Sequence, residues 1–352
     1  MSSFLIELTD EEINKIYNAD CLDGLRMLPD ESINVCVTSP PYFRLRDYGI
    51  EGQIGLEETP DEYIDRLVQV FREVRRVLKP DGTLWVNIAD SYCATATGSC
   101  DNSSSKLGGG KLTQAEAQKR PSKKPIGDIK IKDLIGIPWM LAFALRADGW
   151  YLRQDIIWEK PNAMPESVKD RCTKCHEYIF LLSKSPRYYY DTEAVKEPAV
   201  GFYNAAPAGS LGTAQPNARR RGNSKTFRGG NAYTHDQAKN NSAIVDRESH
   251  GLIPNETGKR NRRSVWSVPT KPFKGAHFAT FPEKLVEPCI LAGCPAGGIV
   301  LDPFMGSGTT AVVAIKNERD FIGFELAPGY CEIAAERIHA AQNEPKQLKM
   351  EL

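Results

Sequence analysis

The chain has 352 residues, enough for one large α/β domain carrying an insert, and its balance of 41% hydrophobic and 26% charged residues excludes disorder throughout. No apolar run reaches the length of a membrane span, and Met1 to Glu7 lacks the basic and apolar regions of a signal peptide, so the expectation is a soluble, cytoplasmic protein. Net charge is zero, which argues against a polyanion partner for the chain as a whole, but thirteen Lys and Arg stand against four Asp and Glu between residues 201 and 275.

The first third alternates strand and helix: a strand at 15–18, a helix around 22–28 and a buried strand at 33–37. Thr59-Pro60-Asp61-Glu62 places an N-cap threonine, a proline at the first helical position and a glutamate able to close a capping box, so a helix follows. Its apolar positions Tyr63, Ile64, Leu67, Val70, Phe71, Val74 and Leu78 recur at helical spacing. Lys79-Pro80-Asp81-Gly82 is expected to stop it before an apolar run at 83–88.

From 94 to about 132 the composition turns to Ser, Gly and Lys, predicting a mobile loop. A helix at 137–147 with Pro138 near its start, a strand at 152–158 and another at 178–183 follow. The Gly-, Asn- and Arg-rich stretch to Asn261 lacks any period. Regular structure resumes with a helix at 282–291, a strand at 299–301, a helix from Thr309, a strand at 321–324 and a terminal helix from Pro328. This succession predicts a three-layer, Rossmann-like α/β fold with a mostly parallel sheet. The domain reading is a catalytic first part at 1–195, a basic insert at 196–264, a cofactor-binding part at 265–342 and a tail at 343–352.

Two segments carry chemistry. Asp302-Pro303-Phe304-Met305-Gly306-Ser307-Gly308-Thr309 is a glycine turn between a strand and a helix N-terminus, where backbone amides can approach a nucleotide-like ligand. About twenty residues on, the next strand ends in Glu325, placed to accept hydrogen bonds from ribose hydroxyls. No Gly-Lys-Ser/Thr follows the turn, and Asp302 would repel an anion, so a phosphate cradle is disfavoured. Glycines alone are as often a tight turn with no ligand. The second segment, Ser39-Pro40-Pro41-Tyr42, ends a buried strand in two prolines that fix φ and remove two donors, leaving carbonyl acceptors beside an aromatic ring. Such a loop can grip an amine, with the base on Tyr42 and its amino protons on the Ser39 hydroxyl and the Pro40 carbonyl. Taken alone, Pro-Pro after a strand is more often only a stiff exit from a sheet.

Together these motifs resemble the DNA amino-methyltransferases, in the permuted β-type order in which the catalytic loop precedes the recognition region and the cofactor turn comes last. The resemblance implies that Asp302, Pro303, Phe304, Gly306, Ser307, Gly308 and Thr309 bind the methionine part of S-adenosylmethionine and that Glu325 takes the ribose. It also implies an adenine contact from Asp20 beside Cys21, and a segment ending in Phe281 and Pro282 that closes over the cofactor. In the family a serine first in the tetrad goes more often with cytosine N4 and an aspartate with adenine N6. The expected activity is therefore methyl transfer from S-adenosylmethionine to N4 of a flipped-out cytosine in DNA, with adenine N6 as the alternative. Analogy also suggests a homodimer and a cognate restriction endonuclease. A non-catalytic DNA-binding protein of the same fold, or an enzyme acting on RNA or protein, are the rivals.

Arg219, Arg220, Arg221, Arg228, Lys259, Arg260, Arg262 and Arg263 are the expected DNA contacts, within a recognition region around 196–264. Nine cysteines, an odd number, suggest reduced thiols rather than a disulfide framework. Cys172-Thr173-Lys174-Cys175-His176 matches a haem-attachment pattern and half a zinc site, but Arg171, Thr173, His176 and Glu177 also reproduce a family stretch leading into a strand, so no metal is expected. Cys36 reads as packed. Asn87 and Asp90 divide evenly between lining a base pocket and ending a strand, and Asp155 and Trp158 fall on an expected core strand.

Overall fold

The computed structural model describes residues 8–9, 11–93, 129–199, 258–270 and 281–344. Contacts divide the chain into one unit of Met1–Val195 with Arg263–Leu352 and a second of Lys196–Arg262.

The larger unit is built on an eight-stranded sheet. Its strands are β1 (Lys15–Asn18), β2 (Ile33–Thr38), β3 (Leu78–Ile88), β4 (Tyr151–Glu159), β5 (His176–Ser183), β8 (Val265–Ser267), β9 (Ile299–Asp302) and β10 (Asp320–Glu325), with β6 (Glu197–Pro198) and β7 (Lys259–Arg260) falling in the other unit. Their order is β1-β10-β9-β2-β3-β5-β4-β8. Every pairing is parallel except β3 with β5 and β5 with β4. Both faces of the central strands are buried, as a parallel sheet flanked by helices requires. Successive side chains therefore alternate between two cores: Leu84 and Val86, with Phe180 and Leu182, face one, while Trp85, Ile179 and Leu181 face the other. The first core is covered by α1 (Cys21–Met27), α2 (Pro60–Val77) and α3 (Ile137–Ala147), through Leu25, Tyr63, Leu67, Phe71, Leu141 and Leu145. The second is covered by α4 (Glu283–Gly293), α5 (Thr309–Lys316) and α6 (Pro328–Asn343), through Leu285, Ile290, Val312 and Ile338. This is the expected three-layer architecture.

Local chemistry places most elements where the sequence put them. At α2 the Thr59 hydroxyl accepts from the Glu62 N–H at 3.2 Å and the Glu62 carboxylate accepts from the Thr59 N–H, completing the capping box. The stop at 79–82 differs: the helix ends at Val77, but Leu78 already enters β3. Ile33 sits opposite Leu78 and Val35 opposite Thr83, so Lys79 to Gly82 bulge out of a continuous strand. Of the loop expected over 94–132, residues 94–128 lie outside the described residues. Its end is ordered by Tyr92 bridging Leu134 and by Cys93 exchanging backbone hydrogen bonds with Lys132 and Asp133. The first half of β4 is exposed, Asp155 included, so only its second half is core strand.

The crossover from β2 to β3 runs through α2 on one face, and that from β9 to β10 through α5 on the other. Because β9 and β2 are neighbours whose chains leave in opposite directions, a crevice opens at their carboxyl ends, where doubly wound folds bind ligands.

The second unit contains β6 (Glu197–Pro198) paired antiparallel with β7 (Lys259–Arg260). Arg263 and Ser264, assigned to the insert from the sequence, belong to the larger unit: Ile157 donates its N–H to the Ser264 carbonyl at 2.8 Å as β8 joins β4. No described helix is long and apolar enough to cross a membrane.

Candidate active site

At the switch point a cavity is lined by Asp20, Cys21, Ser39, Pro40, Pro41, Tyr42, Phe281, Pro303, Phe304, Gly306, Ser307, Thr309 and Glu325. The Ser-Pro-Pro-Tyr loop and the glycine turn, 264 residues apart at Thr38 and Asp302, thus line one cavity. Their junction is Asp302. Pairing of Cys36 with Leu301 sets the ends of β2 and β9 side by side. There the Asp302 carboxylate accepts from Thr38 Oγ1 at 2.6 Å, Thr310 Oγ1 at 2.6 Å and the Phe304 N–H at 3.0 Å. It is fully buried and does not line the cavity, which corrects its assignment as a ligand contact: the side chain ties the two turns together from beneath. Burial pushes it up to about 6 against these three hydrogen bonds.

Gly308 is corrected likewise. It sits at φ +79°, outside the cavity lining, and a Cβ there would meet the Ala334 Cβ at 2.9 Å, so it is glycine to let α6 approach. Arg337 of α6 holds the same turn from outside the cavity, donating to the Ser307 carbonyl, Ser307 Oγ and Thr309 Oγ1. Pro282, too, is behind the wall: it is the buried N-cap residue of α4, while Phe281 lines the cavity.

Glu325 ends β10 beside Asn18 of β1. Its Oε2 accepts from the Gly306 N–H and its Oε1 from the Ala327 N–H, both at 2.8 Å. Burial raises its pKa and these backbone donors oppose the rise. Each oxygen keeps a further lone pair for a ligand hydroxyl. Asp20 caps α1, its Oδ1 accepting from the Leu22 N–H at 2.8 Å. Cys21 is buried, which pushes its thiol up to about 12, so it is an apolar wall rather than a nucleophile. Tyr48 and Tyr330, ring centroids 6.0 Å apart and edge to face, add an aromatic rim. A polar turn, a carboxylate at a strand end and aromatic and apolar walls fit a nucleoside-bearing ligand. Replacing Glu325 by glutamine sets an amide donor against one of the two backbone N–H groups, so cofactor affinity is expected to fall about 10- to 100-fold by calorimetric titration.

The Ser-Pro-Pro-Tyr loop is pinned from three sides. Tyr63 of α2 donates its hydroxyl to the Pro41 carbonyl at 2.8 Å. Gly55, at φ +103°, lets the returning chain pass where a Cβ would lie 3.1 Å from the Tyr42 carbonyl. From the sheet, Asn87 Oδ1 accepts from Ser39 Oγ at 3.3 Å and lies 3.1 Å from the Tyr42 hydroxyl, which donates to Glu177 Oε2 at 2.7 Å. Burial and the neighbouring Glu177 hold the Tyr42 hydroxyl well above its usual pKa, so it stays a donor. Asn87 Nδ2 donates to Glu177 Oε2 at 3.1 Å and to the Tyr178 carbonyl at 3.2 Å, and Lys160 pairs with Glu177 Oε1. No described group donates to the Pro40 carbonyl, which leaves it for a ligand.

Asn87 does not line the cavity but holds Ser39 and Tyr42, which do, from behind; Asp90 has neither contact. The Asp90 carboxylate accepts from the Gly136 and Ile137 N–H groups and so caps α3. Trp158 is core, its indole N–H on the Val268 carbonyl at 2.8 Å, with Lys160 over the ring. Cys36 is fully buried, its thiol raised well above the ordinary value by burial. Cys172 and Cys175 are exposed, and among the described residues no three metal-ligating side chains come together. The sequence reading missed Lys160 and Arg337 and noted Glu177 only through the family stretch, because their partners lie far along the chain.

Of the expected DNA contacts, Arg219, Arg220, Arg221 and Arg228 lie outside the described residues. Arg260 is engaged, its Nε on Glu197 Oε1 at 2.9 Å, and the Arg263 carbonyl accepts from the Trp266 indole. Lys259 and Arg263 are exposed and Arg262 half-buried.

The sequence profile of the DNA methylase family, covering its N6 and N4 enzymes, matches residues 33–336. The chain belongs to that family. S-adenosylmethionine is the cofactor this family uses. The type II methyltransferase M.Cfr9I of Citrobacter freundii is 45% identical over 330 residues, covering 92% of this chain and 87% of that protein. The type II methyltransferase M.SmaI of Serratia marcescens is 44% identical over 324 residues, covering 92% and 90%. The solved structure of the cytosine-N4-specific PvuII DNA methyltransferase shares the fold, with a TM-score of 0.56 at 18% identity, covering 93% of this chain and 90% of that one.

Proposed function

We propose that this DNA methylase is a site-specific type II enzyme that methylates the exocyclic N4 of a cytosine swung out of the duplex. The observation that carries the reading is Ser39. Its hydroxyl gives its proton to Asn87, so its oxygen is left as an acceptor at the cavity wall beside the Pro40 carbonyl. Two acceptors suit the two hydrogens of an amino group, and holding both aims the nitrogen lone pair away from the loop. The Tyr42 ring, fixed by its hydroxyl bond to Glu177, offers a face for a base. When bound, S-adenosylmethionine supplies an electrophilic methyl group on a positively charged sulfur.

An amide-like amine is a weak nucleophile, so the residues contribute orientation and exclusion of water more than a strong base. Direct displacement is supported by the cavity wall, whose one described cysteine, Cys21, is held protonated by burial. The serine in first place supports cytosine N4 over adenine N6 by family resemblance. Purified protein, labelled S-adenosylmethionine and unmethylated duplex DNA test this, with nucleosides resolved by mass spectrometry. N4-methylcytosine is the expected product; N6-methyladenine overturns the base assignment, and no transfer to DNA overturns the activity.

The reading extends to the basic insert, proposed to contact DNA phosphates and bases through residues around 196–264. Replacing Arg219, Arg220 and Arg221 together by alanine is expected to weaken DNA binding and to flatten the dependence of log affinity on log salt by about 0.9 per lost phosphate contact. Fluorescence anisotropy across a salt series reads both. An unchanged slope removes these residues from the interface.

A further inference from the structure

We propose that Glu177, compensated by Lys160, is a positioning residue that sets the direction of every hydrogen bond leading to Ser39 and so makes the serine an acceptor for the target amine. The inference rests on the activity proposed above and deepens it.

The fold explains how the group assembles. Strand β5 runs antiparallel between β3 and β4, so its first residues reach the edge where β3 and β4 end. Glu177 lies directly across from Trp158, and Ile179 across from Asn87, which makes Asn87 and Glu177 diagonal neighbours on one face. Lys160, two residues past Trp158, comes round to the same carboxylate. Parallel pairing of Thr38 with Val86 sets Ser39 beside Asn87.

Donor and acceptor chemistry then fixes the Asn87 amide. An ionised carboxylate and a backbone carbonyl only accept, so the end of the Asn87 amide that faces Glu177 and Tyr178 has to be its NH2. Its oxygen therefore faces Ser39 and Tyr42. The single Tyr42 proton goes to the nearer, charged partner at 2.7 Å rather than to Asn87 at 3.1 Å, which leaves the Asn87 oxygen to take the proton of Ser39. Ser39 thus donates backwards into the protein, to the Asn87 oxygen or to the Tyr42 oxygen that it also hydrogen-bonds, and its lone pairs remain for the amine. Remove the charge and the constraint goes. A glutamine at 177 can donate as readily as accept, Asn87 is free to invert, and Ser39 can then aim its own proton at an N–H group.

Lys160 completes the arrangement. Glu177 is buried, and a buried carboxylate needs a counter-charge; the Lys160 ammonium sits on its other oxygen, away from Tyr42 and Asn87, and over the Trp158 ring. The charge is thereby held without spending the oxygen that does the orienting.

The test compares kcat and KM of wild type, E177Q, N87A and the double variant E177Q/N87D, each with its cofactor affinity and melting temperature. E177Q is expected to lose about 100-fold in kcat with KM for S-adenosylmethionine within about threefold of wild type. N87A, which cuts the chain at a neutral residue and leaves the Lys160–Glu177 pair in place, is expected to lose at least about tenfold. The double variant exchanges amide and carboxylate, so position 87 becomes the acceptor-only group facing Ser39. It is expected to recover at least about tenfold over E177Q. A purely structural ion pair would not be restored by that exchange. Turnover near wild type in a cofactor-binding E177Q or N87A, or a folded double variant no better than E177Q, overturns the inference while wild-type activity stands. Absence of methyl transfer by the wild type overturns the proposed activity itself.

Discussion

Replacing Ser39 by alanine is expected to cut the rate of methyl transfer about 100- to 1,000-fold while leaving cofactor affinity within about twofold. Ser39 lines the cavity wall, but the groups suited to hold a cofactor are the Gly306 turn, Asp20 and Glu325, none of which it touches. Its loss removes one of two acceptors for the amine, and in a site closed to water an unpaired N–H costs free energy at the moment of reaction. Single-turnover rates with cofactor saturating separate this from binding. A loss confined to KM, with kcat intact, would show that Ser39 only helps seat the base. Aspartate at this position is expected to fail as well, losing at least about tenfold. A carboxylate placed where Ser39 Oγ lies would face the Asn87 oxygen at about the same 3.3 Å, acceptor against acceptor, while Asn87 is held from inverting by Glu177 and the Tyr178 carbonyl. The turn after β2 and the end of β3 are matched to one another at this site, so the serine and the asparagine are a set.

That matching marks how much of the site could be read from the chain alone. Ser39 to Tyr42 and Asp302 to Thr309 were legible because each is a turn whose chemistry is written in consecutive residues, prolines fixing φ in one and glycines permitting close approach in the other. The α2 start was legible for the same reason, all four capping residues being adjacent. Pairing was not. Glu177 meets Tyr42 only because β5 reverses between β3 and β4, and no local pattern announces that a strand will run antiparallel in an otherwise parallel sheet. Lys79 to Gly82 reads as a turn and folds as a bulge because the sheet supplies a partner, Ile33 across from Leu78, before the turn residues begin. Asp302 was legible as important and misread in role: a carboxylate in such a turn looks like a ligand contact until the two threonines that hydrogen-bond it, one flanking each motif, are seen.

Asp302 accordingly carries the largest expected effect on stability. Alanine there leaves the Thr38 and Thr310 hydroxyls and the Phe304 N–H without their acceptor in a fully buried place, a loss of about 3–5 kcal/mol that also frees the two functional turns from each other. Asparagine, nearly the same shape, isolates the charge. Burial lifts the folded-state pKa to about 6 from the ordinary 3.8, so the folded protein holds a proton that the unfolded chain has already released between those values. A group bound more tightly to its proton in the fold favours folding below pH 3.8 and loses that contribution as pH rises through about 6. Wild type should therefore lose about 3 kcal/mol relative to Asp302→Asn between about pH 4 and pH 7, with all other titrating groups common to both. Urea unfolding of the two proteins across that range measures the difference directly. Curves that stay parallel would mean that the hydrogen bonds from Thr38, Thr310 and Phe304 outweigh burial and that the carboxylate is as comfortable in the fold as in water. The two threonines would then stabilise the anion fully, and Asp302 would serve the site without the strain that its burial implies.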